Sequence, residues 1–589
     1  MCNRTDTGLA IGFRDLTLVH PTSGRKILDA VSGVVPKGRL LGILGHSGSG
    51  KTTLINILAG QVKQTSGTIL WNEVEQDMSR LGASRGVIKF VPQDDIVHPH
   101  LTVWENILHS ARVQLGGSCT DKDIQGHVQL VISALGLFQV RDSVVGNEQR
   151  RGISGGERKR VSIALELVAS PPVLILDEPT SGLDAQAALS IIKLLKKLAG
   201  KGITVLCVIH QPRVEIFETL DAVLILDTGR QIYSGPTSLA KAHFEDMGYK
   251  FDPMSNPADV ILDIASGCYE SRQFPNMDRS AKSSANTSTD HDKSSAQNQL
   301  RQQYKHQTAQ WHEQVFLCLY RDIKQQSRQP ASFWTEIFAG SLTGLLLGLA
   351  LYELQGHFYG GLYLAPFTPL SSAVNYTVAP EVALFTCFCI TFASAAPSVI
   401  IFGEEVLISQ RESRSGHSMS AYFVGKSISC FLRYTLSALH FTSFYVLLAT
   451  PLVRFQILFA LNLVFFYCVY GIGSVIAAIT QRENGPLVCF MATIIVSVLS
   501  GAQPRLAIVK QWHMAWLWYL LPGTWFAEAY INEHISPFSY LYRTKEVAEY
   551  LGYTFGRTGF DVGLAILIGT MYRVIGCLLM TVRARTGWW

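Results

Sequence analysis

Charge is scarce in this chain. Only 16% of its 589 residues are Asp, Glu, Lys or Arg, and most of those fall before residue 330. No long Lys/Arg block is present and the net charge is only +5, so a nucleic-acid partner is not expected. The eleven cysteines show neither metal-ligand spacing nor a short, dense framework, which argues against a zinc or disulfide scaffold. Cys387 and Cys389 fall in an apolar segment, where packing is the expected role. Residues 1–12 lack a basic start followed by an apolar core, so no secretory leader is expected there. The length exceeds one ordinary domain and points to three or four units.

What is abundant is apolar sequence. Hydrophobic residues make up 48% of the chain, and residues 330–589 are far more apolar than a soluble domain. A cytosolic half and a membrane half follow. Nearly uncharged runs at 333–352, 382–402, 434–453, 455–480, 484–503 and 562–582 are each long enough to cross ~30 Å of hydrocarbon. Six spans are the simplest count for the domain at 330–589. Arg411, Arg414 and Lys426 lie in one loop and Arg583 and Arg585 in the tail, which places both in the cytosol. Residues 505–561 are then expected as a large external element, with 512–521 too short to span and re-entrant or interfacial. Asn375-Tyr-Thr377 would lie in the first external loop as a possible glycan site.

The chemistry is carried earlier, by residues 45–53, GHSGSGKTT. This stretch follows the apolar run 40–44 and precedes the apolar-rich 54–59, so it reads as strand, glycine-rich loop, helix, the context a P-loop requires. Gly45, His46, Ser47, Gly48, Ser49 and Gly50 would fold main-chain N–H groups around a polyphosphate, and the helix start adds positive dipole. Lys51 would reach the β- and γ-phosphates, Thr52 would hold Mg²⁺ through its hydroxyl, and Thr53 closes the loop. Further on, the apolar run 173–176 ends in Asp177-Glu178, a buried strand delivering two carboxylates to its C-terminal edge. Asp177 would bind in the Mg²⁺ shell and Glu178 would polarise the attacking water. Gln93, at the end of 87–92, could be a ligand to Mg²⁺ and the water, but on its own it reads first as an ordinary surface amide.

The order of these residues, with Ser154-Gly-Gly-Glu157 before the acidic pair, Ser181-Gly-Leu-Asp184 after it, and His210 ending the apolar run 204–209, resembles the ATPase domain of ABC transporters. The resemblance covers about residues 13–267. It implies an α/β P-loop NTPase fold for 1–267, with ATP and Mg²⁺ as cofactors. It also implies head-to-tail pairing of two such domains, in which Ser154, Gly155 and Gly156 of one chain contact the γ-phosphate held by the other and His210 senses it. Glu157 and Asp184 fall in the same nucleotide-binding set, Asp184 serving the turn rather than catalysis. The aromatic that usually stacks on adenine is missing; near its slot at 19–21 stands only His20, with Phe13 a possible substitute.

An ATPase followed by six spans, together with Ser154-Gly-Gly-Glu-Arg158, Asn256-Pro-Ala-Asp259, Arg411-Glu-Ser-Arg-Ser-Gly416 through Tyr422, and Tyr572-Arg573, resembles the G subfamily of ABC transporters, which are half-transporters. The resemblance implies a homodimer or heterodimer with a second half-transporter, and a substrate cavity lined by the second and fifth spans. ATP-driven export of an apolar or amphipathic cargo, a lipid, sterol or xenobiotic, is the expected function, at the plasma membrane in preference to an internal one. An ATP-gated channel is the alternative, which intact Glu178 and His210 disfavour.

Residues 268–303 are polar and poor in large apolar side chains, and are expected to be a disordered linker; its sequon at Asn286 should stay unmodified in the cytosol. Within 304–329, Trp311, Val315, Leu319 and Ile323 recur at four-residue spacing, an amphipathic helix suited to the inner membrane face or to packing on the ATPase domain. Glu404, Glu405, Arg411 and Glu412 fit a polar coupling helix or a solvated loop. Arg573, in mid-membrane, is expected to face protein or a partner such as Glu336, and His440 to be a packed neutral residue. Phe385, Phe388 and Phe392 line a cavity or, more ordinarily, pack against helices or lipid.

Overall fold

Ten strands build two sheets near the N-terminus of the computed structural model, which describes residues 8–76, 87–147, 150–253, 255–267, 308–371 and 374–586. Four of them, β1 (Ile11–Val19), β2 (Lys26–Val35), β4 (Ser66–Trp71) and β5 (Val74–Gln76), form an antiparallel sheet in the order β2-β1-β4-β5. The other six run β10-β9-β3-β8-β7-β6, with β3 (Leu40–Leu44), β6 (Ile88–Val91), β7 (Val173–Leu176), β8 (Thr204–Val208), β9 (Ala222–Asp227) and β10 (Arg230–Pro236). All neighbours are parallel except β9 and β10. Strands β3, β7 and β8 are buried at every position, because a parallel sheet covered on both faces has no wet side. Alternation assigns each residue to a face: Leu41, Ile43, Val173 and Ile175 join one apolar core, Leu40, Leu44, Leu174 and Leu176 the other.

One expectation fails here. Phe13 is not available to stack on a base, because the period-2 alternation of β1 turns it into the core. It is 1% exposed, and a Cβ on Gly33 would meet its ring at 2.6 Å. His20 lies exposed in a turn, its Nδ1 accepting from the amides of Thr22 and Ser23 at 3.3 Å each.

The chain divides into two compact units, Met1–Gln314 with Arg411–His417, and Val315–Gln410 with Ser418–Trp589. The second is helical. Four of its helices, starting at Pro330, Val378, Phe455 and Thr558, are long and apolar enough to cross a membrane. The two further expected spans fall in helices of other lengths. The run 434–453 belongs to the 31-residue helix Met419–Ala449, which carries buried Lys426 and Arg433. The run 484–503 gives only the 14-residue helix Gly485–Val498, because the chain turns after Leu499. Within residues 505–561, Pro522–Ile535 is a helix buried at all but one position and packed among Val378–Gly403, Phe455–Ile479 and Thr558–Thr586. Thr524 fixes that turn, its hydroxyl donating to the carbonyls of Leu499 and Trp518 at 3.0 and 2.9 Å. Pro330–Ala350 lies close on Met419–Ala449 at Gly344, where any Cβ would collide with the Phe441 backbone. The expected linker 268–303 lies outside the described residues.

Charges inside this unit are paired. Arg433 donates to Glu336 at 2.9 Å through Nε, and the Tyr470 hydroxyl donates to the same carboxylate. Arg573 does not pair with Glu336, which Arg433 and Tyr470 have already taken. Its guanidinium donates instead to the carbonyls of Tyr467 and Gly569 at 2.8 and 3.1 Å, and lies 3.6 Å from the Tyr467 ring centroid. Removing one member of a buried pair strands the other charge, at about 3–5 kcal/mol. Arg433→Leu is therefore expected to lower the thermal midpoint in detergent by several degrees, and adding Glu336→Leu to recover most of it. A single variant as stable as the parent would contradict the pairing.

Candidate functional site

Parallel register decides which loops meet. Val91 lies beside Leu176, Leu176 beside Cys207, and Ile43 beside Val208. The residues that follow β6, β7, β3 and β8 therefore leave the sheet at one edge, where ligands of such sheets sit. Those residues are Gln93, Asp177 with Glu178, the loop from Gly45, and His210.

The loop is built for an anion. Gly50 has φ 96°, a left-handed conformation, and a Cβ there would meet Leu28 Cδ2 at 2.7 Å, so only glycine fits on both counts. The helix Lys51–Leu58 starts directly behind it and aims its free first-turn amides at the loop. Lys51 is 6% exposed and folds back to donate to the carbonyls of Gly45 and His46 at 2.8 Å each. Burial lowers its pKa, against Glu178 and Asp177, which raise it. Ser49 Oγ is buried with no hydrogen-bond partner, a cost that an oxygen-rich ligand in the loop would offset. Ser47, Gly48 and Thr52 are exposed and Thr53 is half-buried. The His46 ring is drawn off to the Leu262 carbonyl at 2.9 Å, leaving only its main chain in the loop.

Across from the loop, Thr52 Oγ1 donates to Asp177 at 3.4 Å, and Gln93 Nε2 donates to Glu178 at 2.9 Å. Burial, then the neighbouring Glu178, raise the Asp177 pKa. Glu178 itself has φ 43°, a backbone position that costs a non-glycine residue roughly 1–3 kcal/mol and marks functional turns. The hydroxyl, carboxylate and side-chain amide oxygens of Thr52, Asp177 and Gln93 are the hard donors a Mg²⁺ ion takes, so the residues present fit a nucleotide with its metal. His210 is exposed just beyond β8.

Ser154 opens the helix Gly155–Leu167 with a capping box: its Oγ accepts from the Glu157 amide at 3.3 Å, while its own amide and hydroxyl both donate to Glu157 Oε2 at 2.8 Å. The Glu157 carboxylate is thus spent on the cap, and Ser154 and Gly155 stay exposed. Asp184 caps the helix Ala185–Gly200 by its carboxylate alone, accepting from the amides of Gln186 and Ala187 at 3.2 Å each. Asn256 caps Pro257–Ala265 and donates to the Pro212 carbonyl at 2.9 Å, close after His210 in sequence.

Sequence reasoning missed Lys159. It is 2% exposed, donates to the Gln93 carbonyl at 2.7 Å and pairs with Asp95 at 2.9 Å; burial raises the Asp95 pKa, against Lys159. A lysine within Glu-Arg-Lys-Arg carries no local mark of burial, so nothing in the sequence singled it out. Lys159→Met is expected to release the Gln93 loop and cut ATPase kcat about tenfold with little change in KM, the split expected of a group that positions the water and not the nucleotide. An unchanged kcat would contradict that role. Beyond Gln93, the Ile96 carbonyl accepts from Arg411, and His98 Nε2 meets Glu412 at 3.1 Å. Ser415 Oγ donates to Glu166 at 2.9 Å. Arg411 and Glu412 thus make these contacts within the first unit, to which they belong, whereas Glu405 pairs with Lys426 at 2.5 Å and Glu404 with Arg482 at 3.0 Å in the second.

Loop, acidic pair and glutamine on one sheet edge define a P-loop ATPase, here continuous with a helical membrane unit. Residues 28–181 match the family model "ABC transporter", and residues 313–532 match "ABC-2 type transporter". "ABC-type transporter claG" of Penicillium crustosum is 45% identical over 92% of this chain and 72% of its own length. "ABC transporter G family member 14" of Arabidopsis thaliana is 43% identical over 41% of this chain and 37% of its own. "Broad substrate specificity ATP-binding cassette transporter ABCG2" of Rattus norvegicus is 40% identical over 42% and 38%. The chain belongs to the G subfamily of ABC transporters, with an ABC ATPase domain followed by an α-helical membrane domain. It is an integral membrane, ATP-driven transporter.

Proposed function

We propose that the chain is one half of a dimeric exporter that moves an apolar or amphipathic molecule, a lipid, sterol or xenobiotic, from the cytosolic side or inner leaflet of a membrane. The plasma membrane is favoured over an internal one. The observation that carries this reading is the convergence of Gln93, Asp177 and Glu178 beside the phosphate loop. Lys51 and the loop amides hold the terminal phosphates, and Thr52, Asp177 and Gln93 hold Mg²⁺. The ion supplies charge neutralisation at the phosphates. Glu178 orients the attacking water and takes its proton, and His210 senses the γ-phosphate. Ser154, Gly155 and Gly156, at the start of the helix Gly155–Leu167, complete the site of the partner half-transporter rather than their own.

Six spans with ATPase domain and termini in the cytosol remain the preferred topology. Met419–Ala449 and Gly485–Val498 supply the two beyond the four long apolar helices, and the internal pairing of Glu336 with Arg433 lowers the cost of charge in hydrocarbon. Trp311–Ser327 would lie on the inner membrane face, since it exposes Phe316, Tyr320 and Ile323 while burying Gln314, Arg321 and Asp322. Spans poor in free charge suit apolar cargo, and the rat relative's name, broad substrate specificity, fits that class. In inside-out proteoliposomes, a fluorescent short-chain lipid is expected to leave the outer, ATP-exposed leaflet only with ATP. Ion currents without ATP-dependent lipid movement would point instead to a gated channel.

A further inference from the structure

Two buried carboxylates of the helical unit share a single arginine. Glu528, on the helix Pro522–Ile535, and Asp561, near the start of Thr558–Thr586, are each 0% exposed. Both meet the guanidinium of Arg557: Nη2 lies 2.9 Å from Glu528 Oε1, while Nε lies 3.2 Å from that same oxygen and 3.5 Å from Asp561 Oδ1. Among the described residues no other cation pairs with either carboxylate. Two negative charges are thus set against one positive charge, and the arginine that carries it is itself 35% exposed.

The oxygens are served unequally. Glu528 Oε1 accepts from both guanidinium nitrogens and from the Thr554 amide at 2.9 Å. Glu528 Oε2 and both oxygens of Asp561 are buried with no hydrogen-bond partner. A carboxylate can only accept, and the 3.5 Å to Arg557 is well beyond the length of a charge-assisted bond. An ionised carboxylate without compensation is among the most expensive groups to bury, so such a group takes up positive charge.

The neighbouring titratable groups do not supply that charge. Glu533 is a further acid and accepts from Thr558 Oγ1 at 2.7 Å. The Tyr553 hydroxyl donates to the Ser500 carbonyl at 3.0 Å, and His534 Nδ1 donates to the Tyr530 carbonyl at 2.8 Å. On Phe455–Ile479, Cys468 donates to the Ala565 carbonyl at 3.2 Å. One positive charge balances the cluster, whereas a divalent ion would reverse its sign.

We infer that Glu528 Oε2 and the Asp561 carboxylate bind one monovalent cation, a proton or an alkali-metal ion, which completes the neutralisation that Arg557 begins. Its loading fastens the start of Thr558–Thr586 to Pro522–Ile535, where Asn532 Oδ1 already accepts from the Gly556 amide at 2.9 Å. The site uses none of the nucleotide-binding residues, is independent of the transport reading, and needs no ATP.

The test uses the full-length protein in phospholipid nanodiscs, without nucleotide. In neutral buffer with choline as the only added cation, a bound proton shows as the infrared C=O stretch of a protonated carboxyl, present in the parent and missing from both Asp561→Asn and Glu528→Gln. A bound alkali ion shows instead as a thermal midpoint several degrees higher in sodium or potassium than in choline at equal ionic strength, a shift missing from both variants. Each variant removes one buried negative charge with little change of shape, and retained ATPase activity shows that it is folded. The first result assigns a proton and the second an alkali ion. Neither signal in the parent, or a signal that survives in either variant, would overturn the site.

Discussion

Glu178→Gln is expected to lower ATP turnover by roughly 10²–10⁴-fold, the usual contribution of a general base, while nucleotide still binds. Glu178 follows β7, and the Gln93 amide donates to it at 2.9 Å. A glutamine keeps the size, and its carbonyl can still accept from Gln93, so the loop geometry should survive. What is lost is the carboxylate that takes the proton from water. Phosphate release measured beside binding of a fluorescent ATP analogue separates the two effects. Turnover within a few-fold of the parent would remove Glu178 from the chemical step, and lost binding would make it structural. Transport in liposomes should stop with hydrolysis.

The second large effect concerns shared sites. Lys51 and Ser154 are on one chain, yet in a head-to-tail dimer they serve different nucleotides. Placing Lys51→Ala in one protomer and Ser154→Arg in the other should damage a single site twice and leave the second intact. Placing both substitutions in the same protomer, opposite an unaltered partner, should damage both sites. Differential tagging isolates each mixed dimer, and trapped nucleotide is counted. About one nucleotide is expected per dimer in the first arrangement and close to none in the second. The reverse order would mean that each chain completes its own site.

Much of the nucleotide site was legible because its signals are local. A glycine loop between a strand and a helix, or an acidic pair after four apolar residues, states its geometry within a dozen positions. Strands β3 and β7 begin and end where the apolar runs do. Apolar runs likewise announce membrane helices, since length and hydropathy need no partner to be read.

Other features depended on the packing of distant segments. Burial of Phe13 rests on Gly33 across a strand pair, and that of Lys159 on Asp95 and the Gln93 carbonyl. The sequence suggested Arg573 as a partner for Glu336, and the pairing with Arg433 instead follows from which helix faces which. Pro522–Ile535 carries Glu528, Asn532 and His534, yet those residues are 0%, 4% and 3% exposed, which nothing local in the sequence marks. Arg557 offsets part of that, pairing with Glu528 at 2.9 Å.

By itself the sequence determined the class of this protein, its reaction, and the identity of the residues around the phosphate loop. Only the tertiary structure decided which charges neutralise one another, where the fifth apolar run stops as a helix, and which polar side chains are buried. The division has one physical cause. Motif geometry is set by bonds between neighbours in the chain, whereas pairing and burial are set by contacts between residues far apart in it: 97 positions separate Glu336 from Arg433, and 314 separate His98 from Glu412.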